Sequence, residues 1–185
     1  MSQKPFFYTA LLFFKKNVTF LPEKRYDDKV KTFQKFYTEN KERLFGYLLR
    51  KTGNYHLAAD VMQESFTRYL ERYKDREVSP SLLFTISRNL LYDHARKNRY
   101  DTPFEDEQHG ADGGQENLYQ VREESRLVLA ALQQLDEEEQ DILALVVSSG
   151  LSYREIAEMT GNSEANIKVK VHRSRLKLKK ILHRR

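Results

Sequence analysis

Apolar residues recur at spacings of three and four along most of this chain, and no stretch shows the period-two alternation of a strand. From Asp27 or Asp28 onward, Val30, Phe33, Phe36, Tyr37, Leu44, Tyr47 and Leu48 fall on one side of a long helix that ends near Gly53. A second helix over about 55–73 turns Ala58, Met62, Phe66, Tyr69 and Tyr73 inward. Ser79-Pro80, a cap followed by proline in the first turn, starts a third helix that buries Leu83, Ile86 and Leu90. Further on, a helix from about Arg122 to Leu135 buries Val128, Ala131, Leu132 and Leu135. Asp136 with Glu139 reads as a capping box for the next helix, which buries Ile142, Leu143 and Val146 and stops at Gly150. The fold class is therefore all-α.

Two stretches break the pattern. Asp101–Val121 holds no lysine or arginine but six carboxylates, at Asp101, Glu105, Asp106, Glu107, Asp112 and Glu116. Pro103, Gly110, Gly113 and Gly114 argue against regular structure there, so the stretch reads as a flexible acidic linker. Two small helical domains, 27–100 and 122–185, then flank a linker at 101–121, with 1–26 as an accessory extension. Phe6–Phe14 in that extension is apolar, but nine residues fall well short of the roughly twenty that span a bilayer. Lys15 and Lys16 close it without a small-residue cleavage site, a poor fit to a signal peptide. A short helix packed by its aromatic rings on the following domain is the expectation.

The most informative pattern lies at 151–182. Ser152 with Glu155 forms a capping box that opens a short helix over Ile156 and Met159. Gly161 sits where the chain must turn out of it, Asn162 completes the turn, and Ser163 caps the helix that follows. Ile167, Val171, Ser174, Leu178 and Ile181 face a core, while Lys168, Val169, His172 and Arg173 share the outward face. This is a helix-turn-helix, and it makes the second domain a four-helix unit. Its second helix suits a DNA major groove, with polar side chains for base edges and cations for phosphates.

Charge strengthens that reading. The net charge of +5 is unevenly placed: Asn166–Arg185 carries nine lysines or arginines and no carboxylate. The second helix exposes a polar stripe of Asp60, Gln63, Glu64 and Thr67, which by itself is ordinary wet surface. The third exposes Thr85, Arg88, Asn89, Tyr92, Arg96 and Arg99, and cations interleaved with an aromatic ring suit unpaired nucleic acid. With no cysteine, disulfides and thiolate metal sites are excluded, and a reducing cytoplasm is the expected location. His56, His94, His109, His172 and His183 share no ligand spacing, and no phosphate loop or nucleophile motif is found. Neither enzymatic activity, a metal, a cofactor nor a small-molecule substrate is expected.

The run Ala59-Asp60-Val61-Met62-Gln63-Glu64-Ser65-Phe66 resembles region 2 of bacterial sigma factors, as does the later set Ile86, Asn89, Leu90, Asp93 and Arg96. Glu155-Ile156-Ala157, Gly161, Ser163 and Arg173-Ser174-Arg175 resemble region 4. In this order and spacing, over about 30–182, the chain is similar to the extracytoplasmic-function (ECF) sigma factors. The resemblance implies a promoter-specificity subunit whose partners are core RNA polymerase, promoter DNA as duplex and as melted non-template strand, and an anti-sigma factor. It implies polymerase binding through Asp60, Gln63, Glu64 and Thr67. Contacts to the −10 element would come from Tyr73, Lys74, Arg76, Arg88, Asn89, Tyr92, Arg96 and Arg99, with a flipped base received near Tyr73–Val78. Contacts to the −35 duplex would come from Ser152, Tyr153, Ser163, Lys168, Val169, Lys170, His172 and Arg173. The linker would lie in the polymerase's RNA path, its carboxylates standing in for a phosphate backbone.

Leu82 replaces the family's usual tryptophan, Asp136 a common proline and Asn166 a usual threonine. A stand-alone helix-turn-helix regulator is the alternative, since 151–182 resembles that motif too. Such a regulator needs a strand-containing sensor upstream, and 27–99 has no strand pattern.

Overall fold

A run of 30 residues without proline, rich in lysine, glutamate and leucine, forms α1, Glu23–Thr52. The computed structural model describes residues 23–73, 77–98 and 125–183. Expectations for 1–22, for Lys74, Arg76 and Arg99, and for the linker 101–121 lie outside the described residues. The helix begins four residues ahead of Asp27 because Glu23–Tyr26 has helix-forming residues but no apolar stripe to register in the periodicity. After it come α2, Tyr55–Tyr73, and α3, Pro80–Asn98. The second half holds α4 over 125–132, α5 Glu137–Ser148, α6 Tyr153–Thr160 and α7 Glu164–His183. No strand occurs among the described residues, and none of their helices is long and apolar enough to cross a membrane.

The first three helices close on an aromatic cluster. Phe66 lies edge-on to Phe33 and Phe36, each with centroids 6.3 Å away, and packs on Tyr37 at 4.7 Å. Leu44, Leu48, Ala58, Val61, Leu83 and Leu90 complete the interior. The Tyr69 hydroxyl accepts from the Ser79 amide at 2.7 Å, which ties the return loop to α2. Ser79 caps α3 by accepting from the Leu82 amide, as its position before Pro80 requires. Leu82 packs partly buried against this core.

In the second half Ile142, Leu145, Ile156 and Ile167 are fully buried between α5, α6 and α7. Two expectations fail here. Val128 is 41% exposed and Leu129 packs on the core in its place, while Ala131, Leu132 and Leu135 are buried as expected. Asp136 is the N-cap of α5 but makes no side-chain capping bond. Lys177 of α7 takes its carboxylate at 3.1 Å and that of Glu139 at 2.7 Å, so both are drawn to a cation instead of back to the backbone. That pairing ties the far end of α7 to the start of α5.

The two halves share one continuous core. α1 lies along both α2 and α5, and α3 meets α6. Gly46 of α1 faces Ser148 of α5, and a Cβ placed there would be in ordinary contact with that of Ser148, at 4.0 Å.

Candidate nucleic-acid interface

The helix-turn-helix is built as its residues require. Ser152 Oγ accepts from the Glu155 amide at 3.2 Å and the Glu155 carboxylate accepts from the Ser152 amide at 2.8 Å. The Ser152 hydroxyl and amide together hold the Glu155 carboxyl below its ordinary range. Gly161 takes the left-handed conformation at φ +70°, where a side chain would be strained, and the Asn162 amide closes the turn on Ala157 O at 2.9 Å. Ser163 caps α7 by accepting from the Asn166 amide, and the Asn166 side chain donates to Asn162 Oδ1 at 2.7 Å. Asn166 thereby braces the turn.

Ile167, Val171 and Ser174 anchor α7 in the core, which leaves Lys168, Val169, His172 and Arg173 exposed together on its outer face. Val169, at 46% exposure, is an apolar spot among cations, suited to a thymine methyl group. Lys168 is paired with Glu164 at 2.7 Å, and this bond raises the lysine and lowers the carboxyl from their ordinary pKa values. Lys170 does not join the outer face. It is ion-paired with Glu138 of α5, whose carboxyl is lowered by bonds from Lys170 and Asn162. Ser152 and Ser163 serve as caps, and Tyr153 is partly buried against the core.

On α2, Asp60, Gln63 and Thr67 are exposed in one line. Glu64, beside them, is held by Arg68 at 2.6 Å and lies 3.8 Å from His94. On α3, Asn89 and Arg96 are exposed, with Arg96 paired to Asp93 at 3.2 Å. Tyr73 is partly buried, its ring 5.9 Å from that of Tyr69. Arg88 differs from its neighbours in the stripe. Its Nε donates to Asp141 Oδ2 at 2.6 Å, its Nη2 donates to the Tyr92 hydroxyl at 3.1 Å, and its guanidinium lies 5.0 Å from the Tyr92 ring centroid.

Asp141 is a residue the sequence reading missed. It sits in α5 at 1% exposure and also accepts from the Tyr47 hydroxyl at 2.7 Å. Burial and the Asp141 charge push the Tyr47 hydroxyl well up from its ordinary range. Burial alone would lower Arg88, but the bond and charge of Asp141 outweigh it and raise the guanidinium. In the sequence Asp141 follows Glu137, Glu138 and Glu139 and looks like more of an acidic first turn. Its place directly before the apolar run Ile142–Leu145 is the signal that would have found it.

Comparison with known families identifies both halves. Residues 36–100 match the model of Sigma-70 region 2, and residues 125–178 that of Sigma-70, region 4. The ECF sigma factor EcfG of Rhodopseudomonas palustris is 30% identical over 143 residues, 76% of this chain and 79% of that protein. The chain belongs to the ECF sigma factors. SigM of Bacillus subtilis is 28% identical over 159 residues, covering 83% of this chain and 96% of its own length. The fold is shared with RpoE of Bartonella quintana, solved with the anti-sigma factor NepR, at a TM-score of 0.66 and 23% identity over 83% of this chain and 98% of that one. CnrH, solved with the cytosolic domain of CnrY, gives 0.61 at 20% identity, with 96% of each chain covered. As an ECF sigma factor the protein is a promoter-specificity subunit of RNA polymerase, a non-catalytic initiation factor. The region 2 match over 36–100 disfavours the stand-alone regulator, which would carry a sensor domain there.

Proposed function

We propose that this sigma factor reads promoters in two parts, with α7 on the −35 duplex and α3 on the opened −10 strand. The observation that carries the proposal is the outer face of α7, where Lys168, Val169, His172 and Arg173 stand exposed on a helix whose start and turn are both capped. Arg173 is assigned to a base edge, and Lys168 to phosphate or base after exchanging Glu164 for DNA. Arg88, Asn89, Tyr92 and Arg96, together with Tyr73, Lys74, Arg76 and Arg99, are assigned to the −10 strand. Asp60, Gln63, Glu64 and Thr67 are assigned to core polymerase. An anti-sigma factor is a further partner, as NepR is for RpoE of Bartonella quintana.

Opening duplex costs on the order of a few kcal/mol per flipped base, more than one helix face supplies. The −35 contacts, base stacking and the polymerase must therefore act together. The isolated protein should bind promoter duplex weakly and open none of it. With about five phosphates neutralised, log affinity should fall against log salt with a slope of roughly −4 to −5. Base opening by the isolated chain, read by a fluorescent base analogue, would contradict this dependence.

Arg173→Ala should cost about 1–3 kcal/mol at a single −35 position. A uniform loss over all sequences in a competition binding assay would reassign Arg173 to phosphate. The decisive experiment is transcription in vitro with purified core polymerase on random promoter templates. Start-site selection by this chain is the expected result, and its absence on every template defeats the proposal.

A further inference from the structure

The turn of the helix-turn-helix and the start of α7 are joined by a relay of side-chain amides. Lys170 is ion-paired with Glu138 of α5, and the same carboxylate accepts from Asn162 Nδ2 at 3.3 Å. These two bonds hold the Glu138 carboxyl below its ordinary range, so it stays ionised and can only accept. Asn162 Nδ2 also lies 3.3 Å from the Thr160 carbonyl oxygen, another group that only accepts. Acceptors on that side turn the Asn162 amide with its nitrogen toward Glu138 and Thr160 and its oxygen toward Asn166. Asn162 Oδ1 then accepts from Asn166 Nδ2 at 2.7 Å. The orientation of the Asn166 amide is thus set from α5, through two successive hydrogen bonds.

That orientation leaves hydrogen-bonding capacity over. Asn166 Nδ2 has a second hydrogen, and among the described residues no bond takes it or Asn166 Oδ1. Asn166 is exposed and shares a strip of α7 with Val169 and Arg173, at i, i+3 and i+7. It stands in the first turn of α7, and a recognition helix meets base edges with its N-terminal residues. One donor beside one acceptor discriminates among the bases. In the major groove adenine shows an acceptor at N7 and a donor at N6, guanine two acceptors, cytosine a donor, and thymine an acceptor with a methyl group. Only adenine satisfies both groups of the amide.

We propose that Asn166 is a specificity-determining residue for the −35 element, an adenine reader whose amide is oriented in advance by Asn162 and Glu138. The proposal rests on the assignment of α7 to the −35 duplex above and adds a position to it. A free asparagine would have to give up rotamer freedom on binding and could turn either group of its amide to a base. The relay removes both the loss and the ambiguity. Glu138 and Asn162 act through Asn166 and are positioning residues. Lys170, which lies among the cations of α7, belongs to the same relay through its pairing with Glu138.

Initiation by core polymerase with the full chain, on templates randomised across the −35 element, reads the base preference at each position. The wild-type chain should favour adenine at one position by about fivefold or more. Replacing that adenine with 7-deazaadenine, which pairs normally but lacks the N7 acceptor, should lower initiation about threefold. In Asn166→Ala the preference at that position alone should flatten, and the analogue should have no effect. Asn162→Ala keeps Asn166 but frees its amide, and should reduce the same preference at least about twofold. The proposal is overturned by an adenine preference that survives Asn166→Ala, by a wild type indifferent to the analogue, by a loss spread evenly over all positions, or by an unchanged preference in Asn162→Ala. Where Asn166→Ala disables the turn altogether, Asn166→Asp decides. That variant keeps the shape and suits a helix start but cannot donate to N7, so adenine and its analogue should become equivalent, and a remaining difference overturns the assignment. Failure of the wild-type chain to direct any start site is a different result: it defeats the promoter reading and takes the adenine assignment with it.

Discussion

Asp60→Arg is expected to abolish association with core RNA polymerase, lowering affinity by about a hundredfold or more. Asp60 lies exposed on α2 in line with Gln63 and Thr67, on the face assigned to the polymerase. Reversing a charge inside a complementary interface costs several kcal/mol, because an attraction is replaced by a like-charge contact. The same substitution should leave folding nearly unchanged, since surface changes away from buried networks alter stability by about 0.5 kcal/mol or less. Co-elution with core polymerase measures the first effect and thermal unfolding the second. Duplex binding by α7, at the other end of the chain, should be unaffected. Retained polymerase binding would move the docking face away from this stripe.

Phe66→Ala is expected to be the most damaging single change to the fold. Phe66 is completely buried and touches the rings of Phe33, Phe36 and Tyr37, which makes it the hub between α1 and α2. Truncating a buried phenylalanine costs about 3–5 kcal/mol through lost burial and the cavity left behind. In a chain of this size that lowers Tm by about 6–20 °C. Differential scanning calorimetry would read the shift, and a change below about 1 kcal/mol would mean the aromatic cluster relaxes around the gap. The helices bordering the void belong to the half assigned to polymerase binding, so initiation should fail at a lower temperature as well.

Much of this architecture was legible in residue order. The box of Ser152 and Glu155, the left-handed turn at Gly161, the cap at Ser163 and the start of α3 at Ser79-Pro80 all stand where local chemistry placed them. Such signals are readable because a cap or a turn is settled within three or four residues. Where the local signal had a competitor, it misled. Asp136 and Glu139 have the spacing of a capping box, yet Lys177, far along the chain, takes both carboxylates. Lys170 lies among the cations of α7, yet Glu138 draws it toward α5. A carboxylate near a helix start answers to the strongest donor within reach, and that donor can come from any part of the fold.

Residue order alone determined which segments are helical, most of their buried faces, the turn between α6 and α7, and the exposed set Lys168, Val169, His172 and Arg173. All of these follow from spacings of three and four and from backbone chemistry within a single turn. Tertiary structure decided how the halves meet. Tyr47 and Asp141 are 94 residues apart, Arg88 and Asp141 53 apart, and no periodicity links them. A helical pattern tells which way a side chain leaves its own axis. Whether a solvent molecule, a nucleic acid or a buried carboxylate waits there depends on which helices pack together, and for Arg88 it is the carboxylate of Asp141.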